Sequence, residues 1–177
     1  EGFGVDVATG TGDFALEAAR RSKSQRVIGL DFTPEMIQIA QRKSIRSGTS
    51  DRIDWVLSDA HHLPFPESSS EYVTVGFGVR NFSEPTRAFK EMSRIVKPGG
   101  RVVILEIIRL SLEDTGLVKN VASACFRTIT PWLGALFAGD REAYAYLPAS
   151  VDDFLTNGQI VGLMESVGLC NITTRKL

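Results

Sequence analysis

The stretch that most constrains this chain lies near its start. Phe3-Gly-Val-Asp-Val-Ala-Thr-Gly-Thr-Gly-Asp13 reads as a short apolar strand, a glycine turn and the first turn of a helix that runs on through Phe14-Ala-Leu-Glu-Ala-Ala-Arg20. Gly10 and Gly12 lack a Cβ, so the backbone can turn sharply there and come close to a ligand. Strand, Gly-x-Gly turn and helix together form the nucleotide cradle of an open α/β sheet.

The turn also bears on the kind of nucleotide. Gly10-Thr-Gly12-Asp-Phe-Ala15 fits the dinucleotide pattern, and the acid expected roughly 20 residues further on is present as Asp31. Asp13 is the objection. A pyrophosphate would sit on the helix N-terminus, where two like charges ~4 Å apart repel by about 4 kcal/mol at an effective dielectric near 20. A phosphate-free, positively charged nucleoside such as S-adenosylmethionine suits the turn better. The plainer reading of Asp13 is a favourable charge at a helix N-terminus. A nicotinamide dehydrogenase is disfavoured on the same ground.

Alternation of strand and helix continues down the chain. Arg26–Asp31 is a second strand, followed by a helix with Thr33 as cap, Pro34 in first position and Met36, Ile37 and Ala40 facing inward. Ile53–Ser58 is a third strand, and Asp59-Ala-His-His-Leu-Pro-Phe-Pro66 is its exit loop. Tyr72–Gly78 is a fourth, followed by a helix capped by Ser83 and stopped by Lys97-Pro-Gly-Gly100. Arg101–Ile107 is a fifth, so apolar that both faces should be covered. The pattern predicts a mostly parallel, twisted sheet with helices on both faces and ligands beyond the carboxyl ends of the strands. Those ends carry Asp31, Asp59 and Arg80.

The rhythm breaks at residues 109–149, a helical insert. Val118, Val121, Ala122, Cys125, Phe126 and Ile129 line one helix face, and Trp132, Leu133, Leu136 and Phe137 form a second apolar patch. Ile160, Leu163, Met164 and Val167 mark a last helix, and Asn171–Thr174 should begin a sixth strand.

The 177 residues fit a single domain, enough to bury about 70% of the unfolded surface. A net charge of −1 without a basic block argues against a nucleic-acid partner. Two cysteines without metal-type spacing, Cys125 and Cys170, point to a reduced, intracellular setting. No apolar run reaches the ~18 residues of a membrane span. The chain opens without Met and almost inside a strand, and it stops as another strand should begin. It therefore reads as a piece truncated at both ends or as a short variant.

Asp6-Val-Ala-Thr-Gly-Thr-Gly-Asp13 resembles the glycine motif of class I, Rossmann-like methyltransferases. Leu63-Pro-Phe-Pro66, Gly76-Phe-Gly-Val-Arg-Asn81, Lys97-Pro-Gly-Gly100, Tyr144-Ala-Tyr-Leu147 and Ser150 are more specific. With them the chain is similar, over essentially its whole length, to the ubiquinone/menaquinone biosynthesis C-methyltransferases. The resemblance implies methyl transfer from S-adenosylmethionine to a ring carbon of a polyprenyl quinol. The acceptor would be a demethylmenaquinol or the methoxy-benzoquinol of ubiquinone synthesis. It implies cofactor contacts at Thr11, Asp31, Asp59 and Ala60, and the turn itself places the Gly10 and Gly12 amides with Thr11 toward the methionine end. Where the family has a serine in strand four, this chain has Gly76. The family also has N-terminal helices and a final antiparallel hairpin that this chain does not contain in full. The expected location is cytoplasmic, peripheral to the inner membrane at most, since few Lys or Arg flank the apolar face of the insert and strong attraction to anionic lipid is not predicted.

Residue chemistry fits that frame. A carboxylate at Asp31 can accept from both ribose hydroxyls, or it can cap the following helix. Asp59 suits the adenine amino group, with the Ala60 amide on a ring nitrogen, or it is a loop turn residue. Arg80 is the candidate to hold the phenolate of the quinol, with Asn81 orienting the same oxygen. A salt bridge to a nearby helix is the alternative for Arg80. Two adjacent loop histidines, His61 and His62, read as surface residues in preference to a base, and no third ligand makes them a metal site. Tyr144 and Tyr146 suit either a pocket wall or packing. The insert suits a lid for a prenyl tail, which gains ~0.8 kcal/mol per buried CH₂. It equally suits a lid that completes the core, or a homodimer interface. Two rival functions share this fold: a methyltransferase for another small acceptor, and a non-catalytic binding protein.

Overall fold

The computed structural model describes residues 2–22, 26–108 and 154–176. Five strands form one sheet in the order β3-β2-β1-β4-β5, with all four pairings parallel. The strands are β1 (Phe3–Val7), β2 (Arg26–Asp31), β3 (Ile53–Leu57), β4 (Ser70–Gly76) and β5 (Val96–Leu105). Between them run α1 (Asp13–Arg21), α2 (Pro34–Ser47) and α3 (Pro85–Ile95). A single 3-10 turn, Val79–Asn81, follows β4, and α4 (Asn157–Ser166) comes last. The chain divides into two compact units, residues 1–106 with 163–172 and residues 107–162 with 173–177. The first unit carries the sheet. The expected insert at 109–149, with Cys125, Tyr144 and Tyr146, lies outside the described residues, as does Ser150.

Strand order reverses between β1 and β4. The chain steps from β1 through β2 to β3 in one direction, then from β4 to β5 in the other. Right-handed crossovers therefore put α1 and α2 on one face and α3 on the other. On the first face Ala15, Leu16, Ala19, Val27 and Ile53 form a buried cluster with Ala18 and Trp55 against it. The Trp55 indole N–H donates to Ser44 Oγ at 3.3 Å. On α3, Ala88, Phe89, Met92 and Ile95 recur at helical spacing and are fully buried. Ser93 Oγ donates to the Val167 carbonyl at 2.9 Å, which ties the end of the last helix to α3.

Several sequence expectations change. The fourth strand is displaced two residues toward the N-terminus. Lys97–Gly100 does not form a separate turn after the helix. Val96 pairs with Ser70 and Arg101 with Tyr72, so these residues bulge from within β5. The fifth strand is not covered on both faces: it is the edge of the described sheet, and Val103 is half-exposed. Residues 171–174 form no strand, because Asn171 takes a φ of 55° and leaves the extended region. Thr33 and Pro34 do start α2, but the cap is not the Thr33 hydroxyl. Glu84, not Ser83, precedes the first residue of α3.

Candidate functional site

The sequence-selected residues converge on the carboxyl edge of the sheet. Gly10, Thr11 and Gly12 follow β1, Asp31 ends β2, Asp59 and Ala60 follow β3, and Arg80 and Asn81 follow β4. This edge includes the β1/β4 switch point, where open α/β sheets bind their ligands.

The glycine turn is held from beneath. Asp6 is buried in β1 and accepts from Thr9 Oγ1 at 2.5 Å and Thr74 Oγ1 at 2.6 Å. Burial pushes its carboxyl up to about 6, against the lowering effect of those hydroxyls and of the Ala15 amide. The two glycines do different work. Gly10 has a φ of 54°, and a Cβ there would meet nothing within 4 Å, so the space above it is open to a ligand. Gly12 has a φ of 85°, and its missing Cβ makes room for Trp55, whose Cη2 would otherwise lie 2.5 Å away. Gly12 serves helix–sheet packing more than ligand approach.

Asp31 is 7% exposed. Its Oδ2 accepts the Gly10 N–H and its Oδ1 the Thr33 N–H, each at 2.9 Å. It therefore braces the turn and the start of α2 at once, as the helix-cap reading anticipated. Each oxygen keeps a second lone pair, so the carboxylate can still receive two hydroxyls. The Asp31 carbonyl accepts from Ser58 N–H at 3.0 Å, which brings the β3 exit alongside.

Asp13 does not stand as a bare charge. Lys43 Nζ lies 2.7 Å from its Oδ1 and 3.0 Å from Thr11 Oγ1, which itself donates to Asp13 Oδ2 at 2.9 Å. Partial burial raises the Asp13 carboxyl, but the Lys43 and Thr11 hydrogen bonds and the Lys43 charge outweigh it and leave it below its usual range. The repulsion expected against a pyrophosphate is thus largely neutralised, and the turn alone does not select the nucleotide. Lys43 could not be found from local pattern, since it reaches the turn from the far end of α2.

Beyond β3, Asp59 Oδ1 accepts the His61 N–H at 3.0 Å and meets His61 Nδ1 at 2.6 Å. The His61 amide, and after the opposing effect of partial burial the His61 ring, hold the Asp59 carboxyl below its usual range. Ala60 is buried. His61 is 11% exposed, so the surface reading of this histidine does not hold.

Beyond β4, Arg80 forms a salt bridge to Glu106, with side chains only 6% and 2% exposed. The partner stands at the end of β5 and not on a helix. Arg80 Nε is buried and has no hydrogen-bond partner among the described residues. The guanidinium also lies 6.0 Å from the ring centre of Phe77, which has a φ of 57° and packs edge-on against Phe14. A Cβ at position 76 would fall 2.4 Å from the Phe14 ring, so the ring occupies the space that the family serine would need. Asn81 is exposed at the end of the 3-10 turn.

Two further residues escaped the sequence reading. Glu106 stands as a lone acid at an apolar strand end, a signal that marks the residue but not its partner. Phe32 follows Asp31 directly and is 72% exposed, an unusual position for a large apolar ring.

A parallel sheet in this order, with its acids and glycine turn on the carboxyl edge, is a Rossmann-like architecture, which class I S-adenosylmethionine-dependent methyltransferases share with other nucleotide-binding proteins. Solved structures share it. A putative methyltransferase from Bacillus halodurans superposes with a TM-score of 0.68 at 19% identity, over 95% of this chain and 63% of that one. The [4+2]-cyclase SpnF reaches 0.70 at 24% identity, over 95% and 52%. That second likeness shows that the fold by itself does not settle an activity. The family is settled by sequence: residues 3–177 match the model of the ubiE/COQ5 methyltransferase family, and the chain belongs to that family. A demethylmenaquinone methyltransferase from Deinococcus radiodurans is 39% identical over 93% of this chain. A ubiquinone/menaquinone biosynthesis C-methyltransferase UbiE from Geotalea daltonii is 40% identical over 94%. The chain spans 66% and 70% of the length of those two relatives.

Proposed function

We propose that this protein transfers a methyl group from S-adenosylmethionine to a ring carbon of a polyprenyl quinol, either a demethylmenaquinol or the methoxy-benzoquinol of ubiquinone synthesis. The observation that carries this reading is the family match over residues 3–177, since the relatives it joins are named for that chemistry.

The carboxyl edge has the donor and acceptor set that such a cofactor needs. The free lone pairs of Asp31 would receive the ribose hydroxyls, and the exposed Phe32 ring offers an apolar face beside them. Asp59 would accept from the adenine amino group, with the Ala60 amide on a ring nitrogen. The open face of Gly10, with the Thr11 amide, would lie along the methionine end; the Gly12 N–H donates to the Thr9 carbonyl at 2.9 Å, and the Thr11 hydroxyl is engaged by Asp13 and Lys43. When bound, the sulfonium supplies a methyl group that is already activated. What remains for the chain is in-line positioning, which can supply about 7–11 kcal/mol, and help for the acceptor. A quinol ring carbon attacks well once a neighbouring hydroxyl has lost its proton, and the ring then loses its own proton from the methylated carbon. Arg80 would hold that oxygen as its charge develops, with Asn81 orienting it. Glu106 balances the Arg80 charge, so the contribution is a directed N–H donor more than a free cation.

Among the described residues no helix is long and apolar enough to cross a membrane. A prenylated acceptor would bring the protein to a membrane face from the cytoplasm, with the 109–149 insert over the tail or between two copies.

The test is product analysis after incubation with S-adenosylmethionine and a purified demethylated quinol. One added methyl on a ring carbon is expected. Arg80→Ala should cut turnover at least about a hundredfold, the scale of one lost transition-state donor, while cofactor affinity stays within about twofold. Cofactor binding without a methylated quinol would favour the non-catalytic reading, and methylation of another acceptor alone would favour the related methyltransferase.

A further inference from the structure

We infer that His61 is a positioning residue that fixes Asp59 for recognition of the cofactor's adenine; the inference rests on the cofactor reading above. The imidazole bridges two elements. On one side its Nδ1 lies 2.6 Å from Asp59 Oδ1. On the other its Nε2 accepts the backbone N–H of Glu84, at the start of α3, at 3.2 Å. An amide N–H can only donate, so Nε2 carries no proton and Nδ1 is the donor to Asp59. The ring's place is set by an edge-on contact with Phe82, with centroids 5.9 Å apart.

The Asp59 side chain is 57% exposed on a loop. Its Oδ1 accepts the His61 backbone N–H at 3.0 Å, a bond within the loop itself; the imidazole adds the tie from that carboxylate to α3, so less rotamer freedom is left to lose on binding. The loop is fastened along one face of α3 by residues at helical spacing. Besides Glu84, Arg87 Nη2 meets His62 Nε2, and Glu91 Oε2 accepts the Leu63 N–H at 2.8 Å. Arg94 donates to the Leu63 and Phe65 carbonyls at 3.0 and 2.7 Å. Of these links, His61 is the one that extends to the Asp59 carboxylate. The side chain therefore transmits the rigidity of α3 to the acid that would read the base.

The experiment compares binding of S-adenosylhomocysteine and S-inosylhomocysteine by calorimetry. The second compound has a carbonyl where adenine has its amino group. The wild-type protein should prefer the adenosyl compound by about tenfold or more, the scale of a hydrogen bond to a charged group. In His61→Ala that preference should fall to about twofold, with inosyl affinity nearly unchanged. His61→Phe, which keeps the packing on Phe82, should behave alike and serves if the alanine variant does not fold. His61→Gln, whose amide can both donate and accept, should restore much of the preference. An undiminished preference in both variants that lack the imidazole nitrogens, or equal weakening of the two compounds, overturns the inference and leaves the cofactor reading standing. Failure of the wild-type protein to bind either compound defeats the cofactor reading itself, and this inference with it.

Discussion

Around β1 and β2 the polar groups of the carboxyl edge close into a network, whereas around β4 and β5 a buried charge pair leaves a donor unmatched. Asp31 accepts from Gly10 and Thr33, Asp6 from Thr9 and Thr74, and Asp13 from Thr11 and Lys43. Arg80 and Glu106 are more deeply buried than Asp13, yet Arg80 Nε has no partner among the described residues. A buried, unmatched N–H costs about 1–3 kcal/mol. The comparison separates an edge whose carboxylates are each matched by donors of the chain from one where a buried ion pair leaves a guanidinium N–H unmatched among the described residues.

The comparison can be broken most sharply at the β5 end. Glu106→Ala strips the counter-charge from a buried guanidinium and should destabilise the protein by about 3–5 kcal/mol in urea unfolding. A loss below 1 kcal/mol would mean that the pair is hydrated and that the two sides do not differ as described.

Asp6 tests the matched side through pH. Its folded-state value of about 6 lies above the unfolded value of 3.8, so the folded protein binds that proton more tightly. The resulting stability is fully present below pH 3.8 and is lost as pH rises to about 6. At about 1.4 kcal/mol per pH unit, Asp6→Asn should gain about 3 kcal/mol on the wild-type protein between pH 3.5 and 7. Parallel stability curves for the two proteins would place Asp6 in a wetter setting.

The two glycines sharpen the comparison within the turn. Gly12→Ala meets both a positive φ and Trp55, and should cost about 2–3 kcal/mol of stability. Gly10→Ala meets only the positive φ and should cost about 1–2 kcal/mol, while weakening cofactor binding more than Gly12→Ala does. Thermal unfolding and calorimetry on both variants would reverse the assignment if the order came out opposite.

What could be read from the chain follows the same division. The β1 turn and Asp31 were legible because strand, glycines and acid lie close in sequence at fixed offsets. The bounds of β2 and the start of α2 followed from an apolar run and from Pro34. Contacts that close over long separations were not legible. Lys43 reaching Asp13, Glu106 reaching Arg80, and His61 joining Asp59 to Glu84 all depend on how elements pack. Nor does an apolar run tell an edge strand from a central one, which is why β5 was expected to be covered on both faces.

The most direct measurement is a calorimetric titration of S-adenosylmethionine into the wild-type protein and Asp31→Ala. If the tips of the early strands hold the nucleoside, the variant binds about a hundredfold more weakly, as loss of two hydrogen bonds to a carboxylate requires, while its fold is retained. Equal affinity in the two proteins would move the cofactor away from Asp31 and contradict the site described.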